Sequence, residues 1–390
     1  MSQSTFDVIV LGVGGMGSAT CFELARRGRR VLGLEQFPLV HDQGSSHGLI
    51  RIIRTAYFEH PDYVPLLLRA YDLWADLEAE SSRQLFWRCG LMLAGPASGE
   101  AIPGARLSAR QHGLTIEDLS PVAAQRRWSG FRVPSDFDVV FEPDAGFLRV
   151  EDCVRTHLDR AVAHGAVLHL DNPIIEWWST GREVRVRTAR QEFVAASLII
   201  TAGAWATSVL SDLKLPLQVL RKPIFWHEST AREYGLASGM PTFYFEMSVV
   251  EQASRPAVTH RAFYGFPSLD GQVLKVAEHT GGAVVDDPLA VDRSCQDTDI
   301  LPIANFLKAC LPGVRPLPTR HSVCMYTITP DRHFIVDRHP DFANVVVGCG
   351  FSGHGFKFTT VLGEALADLA TDGTTNLPIG FLSLGRLART

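Results

Sequence analysis

Three short stretches of this chain set cations among apolar residues. In His47-Gly48-Leu49-Ile50-Arg51-Ile52-Ile53-Arg54, every position between His47, Arg51 and Arg54 except Gly48 is aliphatic. If the segment is helical, these three, at i, i+4 and i+7, form one stripe. A surface helix shows the reverse, a narrow apolar stripe under a broad polar face. Guanidiniums on a greasy segment suit an interior site that holds anions; the alternative is arginines snorkelling to solvent. The stretch 261–279 reads as a β-hairpin turning at Asp270-Gly271. A two-residue turn sets Phe266 opposite Lys275 and Tyr264 opposite Ala277, so Tyr264, Phe266, Lys275, Ala277 and His279 share a face. That face presents an ammonium, an imidazole and a phenol beside an aromatic wall, and a slip of one residue would separate them. Gly350-Phe351-Ser352-Gly353-His354-Gly355-Phe356-Lys357-Phe358 follows an apolar strand and opens a helix, which makes an anion-binding nest. Lys357 at that helix start opposes the dipole, and a bound anion removes the conflict. In the extended stretch 321–328, Cys324 and Tyr326 lie on one face. Taken alone, Cys324 reads as an inert core thiol.

A fourth motif concerns phosphates. Gly12-Val13-Gly14-Gly15-Met16-Gly17 lies between an apolar strand at 6–11 and a helical pattern at 18–27. In this G-x-G-x-x-G, Gly12 allows the tight turn, Gly14 lets a pyrophosphate approach, and Gly17 lets helix and strand pack. The helix N-terminus supplies free N–H groups. Glu35 ends a second strand (30–35) at the spacing of a carboxylate that grips ribose hydroxyls. A plain βα turn would explain neither this carboxylate nor the third glycine. The motif does not separate FAD from NAD.

Further elements must carry these groups. Helices are expected at 63–80, 160–166 and 358–369, strands at 195–201 and 344–347, and a β-rich section at 217–278. A polar, proline-bearing region runs from 98 to 144. No internal repeat is evident.

The 390 residues are 46% hydrophobic and 20% charged, enough for one large interleaved unit or two lobes. A net charge of −5 gives no basic field, so nucleic acid is not an expected partner. No apolar run is long enough to cross a bilayer. The N-terminus does not read as an export signal, and the chain does not end in a peroxisomal address, so a cytoplasmic protein is expected. Seven cysteines lack CxxC pairs or a metal-like spacing with histidine, so no metal is expected and six read as small buried hydrophobes.

Taken together, the motifs bring a family into view. The chain resembles the monomeric sarcosine oxidases and N-methyltryptophan oxidases, within the D-amino-acid-oxidase-like flavoproteins. The resemblance runs nearly end to end. It is carried by the glycine motif at 12–17, by Gly44-Ser45-Ser46-His47-Gly48 leading into Arg51-Ile52-Ile53-Arg54, by Tyr264-Gly265-Phe266-Pro267, by Cys324-Met325-Tyr326-Thr327, by the stretch 351–358, and by Thr201-Ala202-Gly203-Ala204-Trp205.

The resemblance implies an α/β protein with a Rossmann-like FAD domain in segments 1–85, 145–215 and 320–390. A substrate domain on a mainly antiparallel sheet would take 86–144 and 216–319. It implies FAD held by Gly12, Val13, Gly14, Gly15, Met16, Gly17, Glu35, Ser45, Ala202, Gly203, Trp205, Gly350, Ser352, Gly353, His354, Gly355, Phe356 and Lys357. Cys324 would form a thioether to the flavin 8α-methyl, assisted by His47 and Arg51. Arg54 and Lys357 would hold the substrate carboxylate, Lys275 would activate O2, and Tyr264, His279, Tyr326 and Tyr244 would line the amine pocket. The expected enzyme is a cytoplasmic monomer that oxidises a secondary amine such as sarcosine with O2. Oxidation of N-methyltryptophan, L-pipecolate or D-amino acids, a dehydrogenase on the same fold, a flavin-binding subunit and an NAD-dependent dehydrogenase are the competing readings. Departures from the family pattern fall on the pocket: Ser46, Leu49-Ile50, Tyr244, Glu278 and a lengthened stretch from Glu246 to Tyr264.

Overall fold

The computed structural model describes residues 5–250 and 258–389. β1 (Thr5–Leu11) turns at Gly12, φ +85°, into α1 (Gly15–Arg26), and β2 (Val31–Leu34) returns parallel to β1. Next come β3 (Ile50–Ile53), α2 (Val64–Ser81), β4 (Phe86–Arg88) and β5 (Leu91–Pro96). The region 98–144 is more regular than its polar composition suggests. It holds α3 (Ala101–His112), β6 (Glu117–Leu119), α4 (Pro121–Arg127) and β7 (Phe137–Glu142). β8 (Gly146–Arg149) runs straight into α5 (Val150–Ala163), so the helix expected from 160 begins ten residues earlier. β9 (Val167–His169), β10 (Ile174–Ser179), β11 (Val184–Thr188), β12 (Glu192–Ile200) and α6 (Ala206–Val209) follow. The β-rich section is β13 (Gln218–Glu228), β14 (Thr242–Val250), β15 (Val258–Gly265) and β16 (Val273–Glu278). α7 (Asp297–Cys310), β17 (Arg320–Ile328), β18 (Ile335–Arg338), β19 (Val345–Cys349) and α8 (Thr359–Thr371) follow, and 3-10 turns at Gly380–Leu382 and Leu384–Arg389 close the described chain.

These strands make three sheets. The first runs β10-β11-β12-β1-β2-β9, with β19 also on β12 and β18 on β19. Its centre is parallel and apolar on both faces, as helices on a parallel sheet require. α1 packs there against α5 and α8. The second sheet runs β17-β13-β16-β15-β14-β5-β7-β6 and is antiparallel except between β14 and β5. A phenylalanine cluster, including Phe243, Phe245 and Phe263 against Phe306, packs it onto α7. The third sheet is β3-β8-β4. The expected α/β architecture with a mainly antiparallel second sheet is therefore observed. β17, from the segment 320–390, pairs with β13 in the second sheet, and β4 pairs with β8.

Two local expectations need correction. Residues 47–54 are not helical. Gly48 (φ +91°) and Leu49 (φ +72°) are both left-handed, which no right-handed helix accepts, and the β-branched Ile50, Ile52 and Ile53 suit the strand that pairs with β8. The hairpin keeps its expected register, Tyr264 opposite Ala277, but not its two-residue turn. Pro267 cannot donate to a ladder. The connection is a loop in which the Asp270 carboxylate accepts the N–H groups of Gln272 and Val273. Of the lengthened stretch from Glu246 to Tyr264, residues 251–257 lie outside the described residues.

Candidate active site

One long cleft runs from the glycine turn to the second sheet. At its first end, a Cβ on Gly17 would stand 1.8 Å from the Gly12 carbonyl oxygen, so only glycine lets α1 start against β1. Gly14 faces the cleft with nothing but the Ser46 hydroxyl, 3.7 Å from its notional Cβ. The first turn of α1 holds no acidic residue, which leaves its positive end for an anion. The Glu35 carboxylate accepts from the N–H of Val13 at 3.0 Å and of Gln36 at 2.8 Å. It thus pins the glycine turn from the tip of β2.

The other end gathers charge. Arg54 is 4% exposed and Lys357 5% exposed, and both approach the ring of Tyr57, at 4.3 and 5.2 Å. Arg54 also bonds Glu59 at 2.5 Å, and Lys357 donates to the His354 carbonyl at 2.8 Å. Burial opposes the charge on Glu59, yet Arg54 and Lys357 bring its carboxyl down to about 2. Burial and the Arg54 charge push Lys357 down as well, to about 7, against the pull of Glu59. Tyr244, Tyr264, Tyr326 and His279 line the same end. His279 contacts the rings of Tyr326 and Tyr244 at 5.7 and 6.1 Å. Burial drives the His279 pKa down to about 3 and raises those of Tyr264 and Tyr326. This wall is therefore polar but uncharged at neutral pH.

Beside Arg51, β17 presents Cys324. Its Sγ lies 3.1 Å from an Arg51 guanidinium nitrogen and 3.3 Å from His47 Nε2. Burial alone would raise the thiol pKa, but His47, Arg51 and Lys275 overcome it and lower it to about 6. Lys275 is 2% exposed and donates to the carbonyls of Gly48 and Ile50 at 2.6 and 2.8 Å.

The model of the FAD dependent oxidoreductases matches residues 7–369. The monomeric sarcosine oxidase of Streptomyces avermitilis is 41% identical over 387 residues, 98% of each chain. The N-methyl-L-tryptophan oxidase of Yersinia pestis is 34% identical over 385 residues, 98% of this chain and 99% of that one. Among solved structures, NikD, an unusual amino acid oxidase essential for nikkomycin biosynthesis, matches with a TM-score of 0.85 at 26% identity over 97% of both chains. The chain belongs to this family. It is an FAD-dependent oxidoreductase related to the amine oxidases.

The cleft of this oxidoreductase fits FAD on its own evidence. Buried polar atoms without a partner are rare in folded proteins. Among the described residues there are five such side-chain atoms, and the four on Asn172, Trp205, Thr327 and Thr359 belong to residues of this cleft. With the open face of Gly14, they mark a space shaped for a polar ligand.

Most residues singled out in the sequence meet here. Gly12, Val13, Gly14, Gly15, Met16, Glu35, Ser45, Arg51, Arg54, Ala202, Gly203, Trp205, Tyr244, Tyr264, His279, Tyr326, Gly350, Gly353, His354, Gly355, Phe356 and Lys357 line the cleft. Gly17 sits behind the turn, and His47, Lys275 and Cys324 stand behind Arg51. Ser352 faces away, its hydroxyl bonded to Gly350 and Thr329. His354 spends both ring nitrogens on protein, the Tyr57 hydroxyl and the Arg332 carbonyl, so it braces the loop. Of the six cysteines read as core, Cys89 and Cys295 are only partly buried. Sequence reasoning missed Glu59 and Tyr57, which follow Arg54 in no recognisable pattern. It also missed Glu142, whose carboxylate takes the N–H groups of Thr55 and Ala56 and so aims Arg54.

Proposed function

We propose that this enzyme oxidises N-methyl amino acids such as sarcosine and uses O2 as electron acceptor. The observation that carries the reading is the pairing of two buried cations, Arg54 and Lys357, with an uncharged wall of phenols and imidazole in one FAD cleft. A substrate carboxylate in a dry site needs such cations, since burying it unpaired costs several kcal/mol or more. The sarcosine oxidase and N-methyltryptophan oxidase relatives support this substrate class.

Bound FAD supplies the redox chemistry, taking a hydride equivalent from the N–CH carbon and returning electrons to O2 as H2O2, while the imine hydrolyses to amino acid and formaldehyde. The chain does the rest. Arg54 and Lys357 bind and orient the carboxylate, and Tyr244, Tyr264, Tyr326 and His279 hold the amine end and exclude water. Lys275, whose charge Cys324 and Glu151 support against burial, would supply positive charge to the O2 half of the reaction. Cys324, activated by Arg51 and His47, would provide the thiolate for a thioether to the flavin 8α-carbon, where a C–H proton is lost and the two electrons left on the ring pass to O2. Residues 1–85, 145–215 and 320–390 form the FAD lobe and the remainder the substrate lobe, with β17 contributing its Cys324 from the sheet of the latter. We take the enzyme as a monomer, as its sarcosine oxidase relatives are named, in the cytoplasm, where unpaired cysteines are the rule.

The test is peroxide release across sarcosine, N-methyltryptophan, L-pipecolate and D-amino acids. Sarcosine or another N-methyl amino acid should lead. Turnover only with an artificial electron acceptor, or a D-amino acid as the best substrate, overturns the reading.

A further inference from the structure

The mechanism leaves one carboxylate unexplained. Lys275 is buried between the rings of Phe266 and Trp226, which lie 5.3 and 5.9 Å from its Nζ. Burial pushes its pKa well down and Arg51 from β3, a second cation, adds to this, while Cys324 from β17 and Glu151 from the first turn of α5 favour the charged form. Glu151 is the carboxylate of the set, yet its oxygens bond backbone rather than the ammonium. One oxygen accepts from the Gly48 N–H at 2.7 Å, and the two accept from the Leu49 N–H at 3.1 and 3.0 Å. The Leu49 N–H and the Gly48 carbonyl belong to one peptide unit, and that carbonyl accepts from Lys275 at 2.6 Å. A single peptide therefore joins the carboxylate on one side to the ammonium on the other.

The backbone is bent to make this possible. Leu49 stands at φ +72°, a region costly for leucine, and its side chain is 41% exposed, so packing does not hold it there. Hydrogen bonds do: its N–H donates to Glu151, its carbonyl accepts from the Val150 N–H, and the Ile50 N–H closes a turn across it onto the Gly48 carbonyl. Gly48, at φ +91°, has no room for a side chain: a Cβ would come 2.3 Å from Ile224 Cδ1. Glu151 is delivered by the pairing of β3 with β8, which sets Ile50 opposite Arg149, and by the bond from the Val150 N–H to the Leu49 carbonyl at 2.9 Å.

We propose that Glu151 is the counter-ion of Lys275, acting through the Gly48–Leu49 peptide, and that it positions this ammonium for the O2 half of the reaction. The proposal rests on the reading of Lys275 given above. A peptide polarised at both ends makes stronger hydrogen bonds than either alone, and a carboxylate so close offsets the cost of a buried ammonium. Glu151 is thus a positioning residue that touches neither substrate nor flavin.

Glu151→Gln, Lys275→Met and the double variant of the FAD-loaded chain test it in two ways. In urea unfolding, each single variant should lower the midpoint, and the double should be no less stable than Lys275→Met; additive losses overturn the pairing. In rapid mixing, flavin reduction by sarcosine should change little in Glu151→Gln. After reduction by dithionite, its reoxidation by O2 should slow about ten- to a hundredfold, as loss of a residue that orients a metal ligand does. Parent-like reoxidation in Glu151→Gln with slow reoxidation in Lys275→Met refutes the role of Glu151 and spares that of Lys275. Parent-like reoxidation in both refutes the role of Lys275 itself, and with it the O2 part of this proposal.

Discussion

Lys357 is an ammonium kept in a place that disfavours it. Burial and Arg54 lower its pKa to about 7, so in the empty pocket its charge is present below that value and lost as pH rises through it. A bound carboxylate favours the charged form and pulls the pKa back up. Binding above pH ~7 must therefore take up a proton, and the affinity should fall by up to about tenfold per pH unit. Titrating the flavin spectrum with a small carboxylate that has no amine checks this. The parent should show the break near 7, and Lys357→Met should bind more weakly at low pH and show no break. The same substitution should reduce kcat/KM for sarcosine by about 10- to 100-fold, the worth of one charge-assisted hydrogen bond. Cys324 argues the opposite sign. His47 and Arg51 lower its pKa to about 6, so at neutral pH the group beside them is chiefly thiolate. Acid-precipitated parent protein should stay yellow, whereas Cys324→Ser should release its flavin to the supernatant. A parent flavin that washes out removes the tether.

The β1–α1 junction tolerates no side chain. Gly17→Ala forces a Cβ to within 1.8 Å of the Gly12 carbonyl, a clash with backbone that cannot turn aside. Strain of this kind typically costs 1–3 kcal/mol or more, so a lower Tm and a reduced flavin content are expected together. This junction was legible in the sequence because its whole logic is local: strand, glycines and helix are consecutive, and Glu35 lies one element further on. The hairpin register was legible for the same reason, since the alternation of Tyr264, Phe266 and Lys275 outlasts the error in the turn. The segment 47–54 was not. Its spacing fits a helix, and the facts that make it a strand lie about a hundred residues away, in β8 and in the Glu151 carboxylate that accepts from the N–H groups of Gly48 and Leu49. Glu59 was invisible for a related reason. Nothing about a glutamate five residues after Arg54 says that the chain will fold it back onto that arginine. Local chemistry named most of the cleft, and only the fold could name the partners that hold its cations in place.

The site is assembled from both large sheets, so the molecule works only if they stay in register. The small third sheet does this joining: its Ile53, Phe86 and Leu148 share a core with Val8, Val10 and Val346 of the first sheet. Ile50 and Phe147 of the small third sheet pack with Ile224, Trp226, Tyr264, Phe266, Ala277 and Cys324 of the second. Phe147 is fully buried, stacked on Trp87 with ring centroids 5.7 Å apart and set edge-on to Phe266 at 6.2 Å. Its removal leaves a cavity at the seam itself. Phe147→Ala should cost about 3–5 kcal/mol. Because the seam also carries β3, with Arg51, and the carbonyls that hold Lys275, the loss should reach the flavin before either sheet melts. In the parent, circular dichroism and flavin fluorescence should report one coincident thermal transition, as a single cooperative unit requires. In Phe147→Ala the flavin signal should shift to lower temperature than the dichroism. Two separate transitions in the parent would show that the sheets unfold independently and that the third sheet does not couple them.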